Sequence, residues 1–577
     1  MARGAANAVG VNGAVISEVI PELELLLGPQ PEVPTLPPDQ AQGRFTTTFM
    51  EFVRACSSPR QPLILFLDDL QWADESSLDF LQAFLADPQP AHLLIIGAYR
   101  DSEVGPDHRL KRLIAALTNL GRPPDQIHLT ALDLASIRQL LTDTLLFHHR
   151  NGQSMELLTD LLYQKSSGNP FFITTLLQTL HENGLLTLTD SHQGWKWDMA
   201  ALQQVRLSDN VIDLLLQKLD RLPLATLDLL KQSACLGNTF SLTTLHWISR
   251  LDYETLYTQL GPALQADLIR EQGETISFEH DRVQEAVYLL LSESERQQHH
   301  WQIGRLLLGY FDEHTLDDQL FTVVNHLNQG RSLAHDPAIR ARLVELNYQA
   351  GLKARNSIAF DASLAYFEMS RGLLPADSWS KDYAQTYRVW SELLMAQTLL
   401  LRHEAVFATA DVILANAQSD LDRARCYRRL VSLHAWQSNF AQALAVGNRA
   451  LALFGQPLPA DKQEARQAIG EAMKYVLTHL TGHEAILNLA EMTDPTALVQ
   501  LEIRHELTPA LYRTSAELLV LNNFAHDPAG PGARQPSGLE HCLCRQRRSD
   551  DCAGPAQAGR LFQPVGRRPV AALSDRL

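Results

Sequence analysis

At 577 residues the chain exceeds a single domain, and ordinary domain sizes predict roughly three to five. Hydrophobic residues make up 45% and charged residues 20%, a globular balance with ample material for buried cores. The 49 basic and 66 acidic side chains give a formal charge of −17, which disfavours bulk binding to phosphate backbones unless a local basic face exists.

Residues 28–43, GPQPEVPTLPPDQAQG, are Pro-rich and polar and read as an extended loop, followed by a helical pattern from Arg44 to about Cys56. PLILFLDDL (62–70) is a short apolar run that ends in two acids, the pattern of a fully buried parallel strand. A helical segment from Ser76 to Leu85 leads to a second such run, HLLIIGAYR (92–100), so strand, crossover helix and strand predict an α/β layer. The period is helical over 133–149 and 155–182, with the break at SGNP (167–170) read as a loop. LLTLTDSHQGWKWDM (185–199) reads as a β-hairpin. Residues 208–300 return to helices with an extended pair around Leu268–Phe278 broken by Gly273, which suggests a winged-helix unit.

Beyond residue 300 the pattern is helical almost throughout. SIAFDASLAYFEMSRGLL (357–374), HEAVFATADVILANA (403–417) and SNFAQALAVGNRALALF (438–454) are loosely self-similar, with small and aromatic residues at helix-packing spacing. An irregular repeat of this kind predicts tetratricopeptide-like helical hairpins, an interaction surface rather than a catalytic pocket. After about Leu521 the texture changes abruptly to Pro, Gly, Arg and Cys. That tail reads as disordered or as out-of-frame translation, and the clustering of Cys542, Cys544 and Cys552 favours the second. Their spacing does not suit a zinc arm, and Cys56, Cys235 and Cys426 stand far apart, so neither a metal site nor a disulfide framework is expected. No apolar run approaches the roughly 18–20 residues of a membrane span, and no signal-peptide pattern opens the chain. The expected location is cytoplasmic.

The chemistry-bearing segment is LILFLDDLQWAD (63–74). Acids at the carboxyl end of a buried strand lie where α/β proteins bind ligands. In nucleotide hydrolases the first such acid holds Mg²⁺ and a second orients or polarises water. Two solvated acids closing a strand would look the same in isolation. An arginine at a strand end, Arg100, is suited to read a γ-phosphate, or else pairs in solvent with Asp101 or Glu103.

The ordered series IPELELLLGPQPEVP (20–34), FLDDLQWAD (66–74), IIGAYRDSEV (95–104), SGNPFF (167–172) and FEHDRVQEAVY (278–288) resembles the STAND-class AAA+ ATPase module of large bacterial serine/threonine and hybrid sensor histidine kinases. The resemblance covers about residues 14–520. It implies a mixed, mainly α architecture: a partial α/β P-loop-type ATPase core (1–132), a helical lid with a small hairpin (133–205), a winged helix (206–300), a tetratricopeptide-like α-solenoid (301–520) and a tail (521–577). It implies that Asp68 is the Mg²⁺-site acid, Asp69 the hydrolysis-linked acid and Arg100 the sensor. Trp72 and Asp74 belong to the signature without an assigned chemistry. Gly168, Asn169 and Pro170 correspond to the motif whose proline lies against adenine, although alone they are a helix-breaking turn. His280 corresponds to a histidine that contacts the β-phosphate of ADP and holds a closed state, and a lone histidine is as readily a packing residue. Asp281 would orient it or cap the following helix.

The implied cofactors are ATP or ADP with Mg²⁺, and the implied partners are a protein or signalling ligand on the helical repeats and kinase modules in cis. No Gly-Lys dipeptide occurs in the sequence, so the G-x-x-x-x-G-K-[ST] phosphate loop is missing and the chain reads as starting downstream of it. The expectation is a fragment of an ATP-dependent signalling switch that does not itself hydrolyse ATP. Two other classes remain open: a non-enzymatic scaffold, and a winged-helix transcription regulator, against which the acidic balance argues.

Overall fold

The computed structural model describes residues 8–17, 23–28, 38–87, 92–145, 152–188, 195–197, 211–479 and 493–524, with residues 20, 30, 31, 33 and 202. The chain divides into two compact units, Met1–Ala350 and Gly351–Leu577. It is mostly helical with few strands, and no helix of the described residues is long and apolar enough to cross a membrane. Cys56, Cys235 and Cys426 are free thiols, and burial pushes those of Cys235 and Cys426 up to about 12. The tail beyond residue 524, with its three cysteines, and the hairpin turn at 189–194 lie outside the described residues.

In the first unit helix α1 spans Pro38–Cys56, six residues earlier than the predicted start and inside the stretch read as a loop. A proline at the first helical position loses no hydrogen bond and has its φ already set, so the Pro-rich run ends by starting a helix. Strand β1 (Leu63–Leu67), helix α2 (Glu75–Ala86) and strand β2 (Leu93–Gly97) follow, then helix α3 (Arg109–Asn119). β1 and β2 pair in parallel, Leu63 opposite Leu93 through Leu67 opposite Gly97. The strands are where the apolar runs predict them, but they are not fully buried. Ile64 is 63% and Phe66 58% exposed, and Leu94 and Ile96 are also exposed. α2 and α3 build their core from Leu78, Leu81, Leu110, Leu113 and Leu117 and reach only Leu67 and Ile95 of the strands. Among the described residues this parallel layer has two strands, with too little covering structure to bury both faces.

Helices α4 (Leu134–Leu145), α5 (Gly152–Ser166) and α6 (Pro170–Glu182) pack around Ile137, Leu141, Leu158, Leu162, Ile173 and Leu176. β3 (Leu186–Leu188) and β4 (Trp195–Trp197) form the expected antiparallel pair. Next come α7 (Val211–Leu219), α8 (Leu224–Leu236), β5 (Thr239–Ser241), α9 (Leu242–Ser249), α10 (Tyr253–Gln265), β6 (Ile269–Gln272), β7 (Thr275–Phe278) and α11 (Asp281–Leu289). β7 lies between β5 and β6, and Gly273 turns the β6–β7 hairpin at φ 64°. Phe240, Ile276 and Phe278 of this sheet face Leu260, Val283 and Val287 in one core. α12 (Glu293–Tyr310) starts with a capping box, Ser292 to Glu295. It packs on α13 (Leu320–Gln329), and α14 (Pro337–Asn356) runs across the division between Ala350 and Gly351, so that its last turns belong to the second unit.

The second unit stacks α15 (Phe360–Leu373), α16 (Tyr383–Leu399), α17 (His403–Asn416), α18 (Asp420–Trp436), α19 (Phe440–Ala452), α20 (Lys462–His479), α21 (Pro495–Thr514) and α22 (Ala516–Phe524). The three self-similar segments supply α15, α17 and α19, each the second helix of its hairpin. Each buries the fourth, eighth and eleventh helical residue: Ser363, Phe367, Ser370; Val406, Ala410, Ile413; Ala443, Gly447, Ala450. Each is entered through a left-handed residue two positions before it, Ile358, Leu401 and Ser438, at φ 65°, 52° and 58°. The residue after each donates its N–H five positions back, to Ala354, Gln397 and His434. Exposed Ser438 bears the left-handed strain with no compensating burial. Ser438→Gly should therefore raise stability by about 0.5–1 kcal/mol, readable as a higher urea midpoint.

Sequence neighbours do not complete this stack. α21 packs directly on α18 and α19, while α20 packs on α22. Ion pairs join helices across the unit: Arg355 on α14 with Glu392 on α16, and Arg428 on α18 with Glu502 on α21.

Candidate functional site

The carboxyl ends of β1 and β2 turn into each other's neighbours. Ala98 donates its N–H to Leu67 O at 2.8 Å, and Leu70 donates to Ala98 O at 2.9 Å. This close crossing explains Gly97, where a Cβ would stand 2.5 Å from Leu70 Cδ1. Asp68 is exposed, and its carboxylate accepts the Asp69 N–H at 3.0 Å. Asp69 adopts the left-handed conformation, φ 52°, and its Oδ1 accepts from Gln71 Nε2 at 2.8 Å. Gln71 is buried and its Oε1 accepts the Arg100 N–H at 3.2 Å, so one amide ties the acidic turn to the end of β2. Asp74 caps α2 by accepting from Ser77 N at 2.6 Å. Trp72 donates from Nε1 to Glu103 at 3.0 Å and lies 5.7 Å from the Arg100 guanidinium. Those two signature residues are thus engaged in holding the turn.

Arg100 is the hub. Its Nη2 donates to Asp281 Oδ2 at 2.5 Å, and its guanidinium lies 3.6 Å from Glu103 and 3.8 Å from Asp69. The hydrogen bond to Asp281 leads the causes that hold its pKa above the ordinary value, ahead of the neighbouring charges. Burial works against ionising Asp281, but the hydrogen bond from Arg100 and its positive charge prevail and hold the carboxyl below the usual range. Asp281 opens α11, and His280 is the N-cap, its Nδ1 accepting the Arg282 N–H at 3.1 Å and touching Asp281. The His280 ring stacks on Phe171, centroids 4.0 Å apart at 22°. Asn169 caps α6 by accepting from Phe172 N at 3.0 Å, and Pro170 is at the first helical position. Gly168, at φ 79°, accepts the Leu132 N–H at 2.9 Å.

Three segments distant in sequence therefore meet: the turn after β1 with the end of β2, the start of α6, and the cap of α11. Arg100, Asp281, His280 and Phe171 form a continuous chain of contacts through all three. The pairing of Arg100 with Asp281 across 181 positions and the stacking of Phe171 under His280 carried no signal in the sequence. Among the described residues no cluster of three or more His, Cys, Asp or Glu side chains could cage a metal ion. Mg²⁺ needs less: one exposed carboxylate such as Asp68, with water and phosphate oxygens completing its shell, fits its habits.

Residues 4–96 match the AAA ATPase domain family. The chain is similar to hybrid signal transduction histidine kinase G of Dictyostelium discoideum, 25% identical over a 509-residue alignment that covers 67% of this chain and 15% of the relative. It thus spans only a small part of that relative's length. A solved STAND protein with a tetratricopeptide repeat sensor, from Pyrococcus horikoshii, aligns at 12% identity over 84% of this chain and 72% of its own, with a TM-score of 0.31.

Proposed function

We propose that the chain is part of an ATP-dependent signal-transduction switch in which the contact of Arg100 with the Asp281–His280 cap holds the resting state. The observation that carries this reading is the convergence of the acidic turn and the α11 cap on Arg100, with Phe171 at the start of α6 stacked on His280. The turn at Asp68 and Asp69 corresponds to a Walker B end, with Asp68 toward Mg²⁺ and Asp69 toward water. Gly168-Asn169-Pro170 lies toward the base and His280 toward the β-phosphate. The domain division 1–132, 133–205, 206–300, 301–520 and 521–577, with a winged helix third, belongs to the same reading. Bound nucleotide supplies the anionic phosphates, and the residues supply a cation and a cap that must choose between those phosphates and each other. While Arg100 donates to Asp281 it is not free for a γ-phosphate, so nucleotide and Asp281 compete. Without the Lys and glycine-rich backbone of a phosphate loop, this chain holds nucleotide weakly and does not hydrolyse it.

Calorimetric titration with Mg-ATP and Mg-ADP tests both parts. The chain should show weak binding and no hydrolysis, and Asp281→Asn should shift preference toward ATP by roughly the 5-fold or more expected of a modest coupling. Hydrolysis abolished by Asp69→Asn would overturn the inactive reading. An ATP-to-ADP ratio unmoved by Asp281→Asn would remove Arg100 from nucleotide sensing. A second reading, a protein-interaction scaffold, is favoured by the stacked helical hairpins of Gly351–Leu577, which offer a surface for a protein partner whether or not nucleotide binds.

A further inference from the structure

In the second unit, α21 buries a charge with no counter-charge opposite. Arg504 is 6% exposed, and its guanidinium has one neutral partner among the described residues, the amide oxygen Oε1 of Gln456, 3.2 Å from Nη2. Burial alone, with no neighbouring charge contributing, pulls its pKa down to about 10. Two other arginines of the unit are paired with acids: Arg355 with Glu392 and Arg428 with Glu502. A guanidinium withdrawn from water is retained where an anion and good hydrogen bonds compensate it, and one amide oxygen leaves most of its five N–H donors without a partner among the described residues.

The surroundings are polar and equally incomplete. Gln500 lies one turn earlier on the same face of α21, the direction in which the Arg504 side chain leans. It is buried, and its Oε1 has no donor. Asn522 on α22 is buried and donates from Nδ2 to the Arg504 carbonyl at 2.9 Å, leaving its Oδ1 without a donor. Thr508 donates to the same carbonyl at 3.2 Å, so the backbone at Arg504 is held by two side chains in addition to the helix. Gln500, one turn along α21, and Asn522, bonded to the Arg504 backbone, thus add two acceptors without a donor to the region of an arginine whose guanidinium fork has one neutral partner, and this set is complementary to one kind of molecule. It carries an acid group for the fork and at least one O–H or N–H for the amide oxygens.

We propose that α21 and α22 form a binding site for a small hydroxylated or amino-bearing anion, its carboxylate or phosphate seated on Arg504 and its donor groups on Gln500 and Asn522. The site is independent of nucleotide binding in the first unit, so either proposal can fail alone.

Thermal unfolding of the full chain, titrated with malate, citrate, glycerol 3-phosphate and acetate at matched ionic strength, tests it. The expected result is a saturable rise in the second unit's unfolding midpoint with at least one of the first three. Malate or citrate against glycerol 3-phosphate separates a carboxylate from a phosphate ester. Acetate, which brings no second donor, should give a much smaller shift. The shift should vanish in Arg504→Met and shrink in Gln500→Leu. No shift with any probe, or an undiminished shift in Arg504→Met, would overturn the site. An acetate response equal to malate's would overturn the part assigned to Gln500 and Asn522. Should Arg504→Met not fold, Arg504→Lys keeps the charge without the fork and must also weaken the response.

Discussion

Gly168→Ala is expected to destabilise the Met1–Ala350 unit by about 2–4 kcal/mol, among the larger effects a single methyl group can have. Gly168 sits at φ 79°, where any side chain is strained. A Cβ there would also stand 2.3 Å from Leu132 O and 3.0 Å from Leu132 N. Both are backbone atoms, held in place by the Leu132 N–H bond to Gly168 O, so they yield only if that bond opens. Opening it would free the approach to α4 and displace Asn169, which caps α6, and with it Phe171 beneath His280. Urea unfolding followed by far-ultraviolet circular dichroism measures the loss. A midpoint unchanged by the substitution would show that the 132–168 contact is not formed as described.

The second large effect is one of pH. His300 on α12 and His326 on α13 are 4% and 7% exposed, and their Nδ1 atoms lie 2.8 Å apart across the helix interface. Tyr288 Oη meets His300 Nε2 at 3.2 Å and carries the Arg296 guanidinium over its ring. Burial first, and a neighbouring histidine second, push both rings down to about 4; for His300, Glu293 opposes the shift. Unfolded, each ring titrates near 6.5, so between those values the unfolded chain binds more protons than the folded one. Stability is therefore complete above about pH 6.5 and falls as the pH drops toward 4, by on the order of 3 kcal/mol for one ring. The pair contributes less than twice that, because a proton on one ring can be shared with the other. Urea midpoints measured from pH 7.5 down to 4.5 should fall steeply, and His326→Leu should flatten the slope. An equal slope in the variant would place the acid sensitivity elsewhere.

The parts legible in the sequence are those whose signal is local. A continuous apolar run ending in two acids located β1 and its turn because a strand's residues report on their own backbone. The three similar segments located α15, α17 and α19 because each buries the same three positions of one helix. The strands' exposure was misread because an apolar run states what a strand could bury, whereas α2 and α3 decide what it does bury. Pro38 was misread because a proline that ends an extended stretch also opens a helix. Arg100 illustrates the rest. Its place at a strand end was legible and its pairing with Glu103 was foreseeable, but its main partner, Asp281, is fixed by how α11 meets the sheet. Arg504 gave no signal at all, since a lone arginine on a helical face reads as solvated until its burial is known.

The out-of-order packing of α21 has a mechanical consequence. A solenoid whose helices touch only their sequence neighbours peels from its end one hairpin at a time under tension. Here the Arg428–Glu502 pair ties helices whose contacting residues are 74 positions apart, and α21 sits against both α18 and α19. Pulled from its carboxyl end, the second unit should resist until this three-helix block yields together, and then release its stored length in one long step.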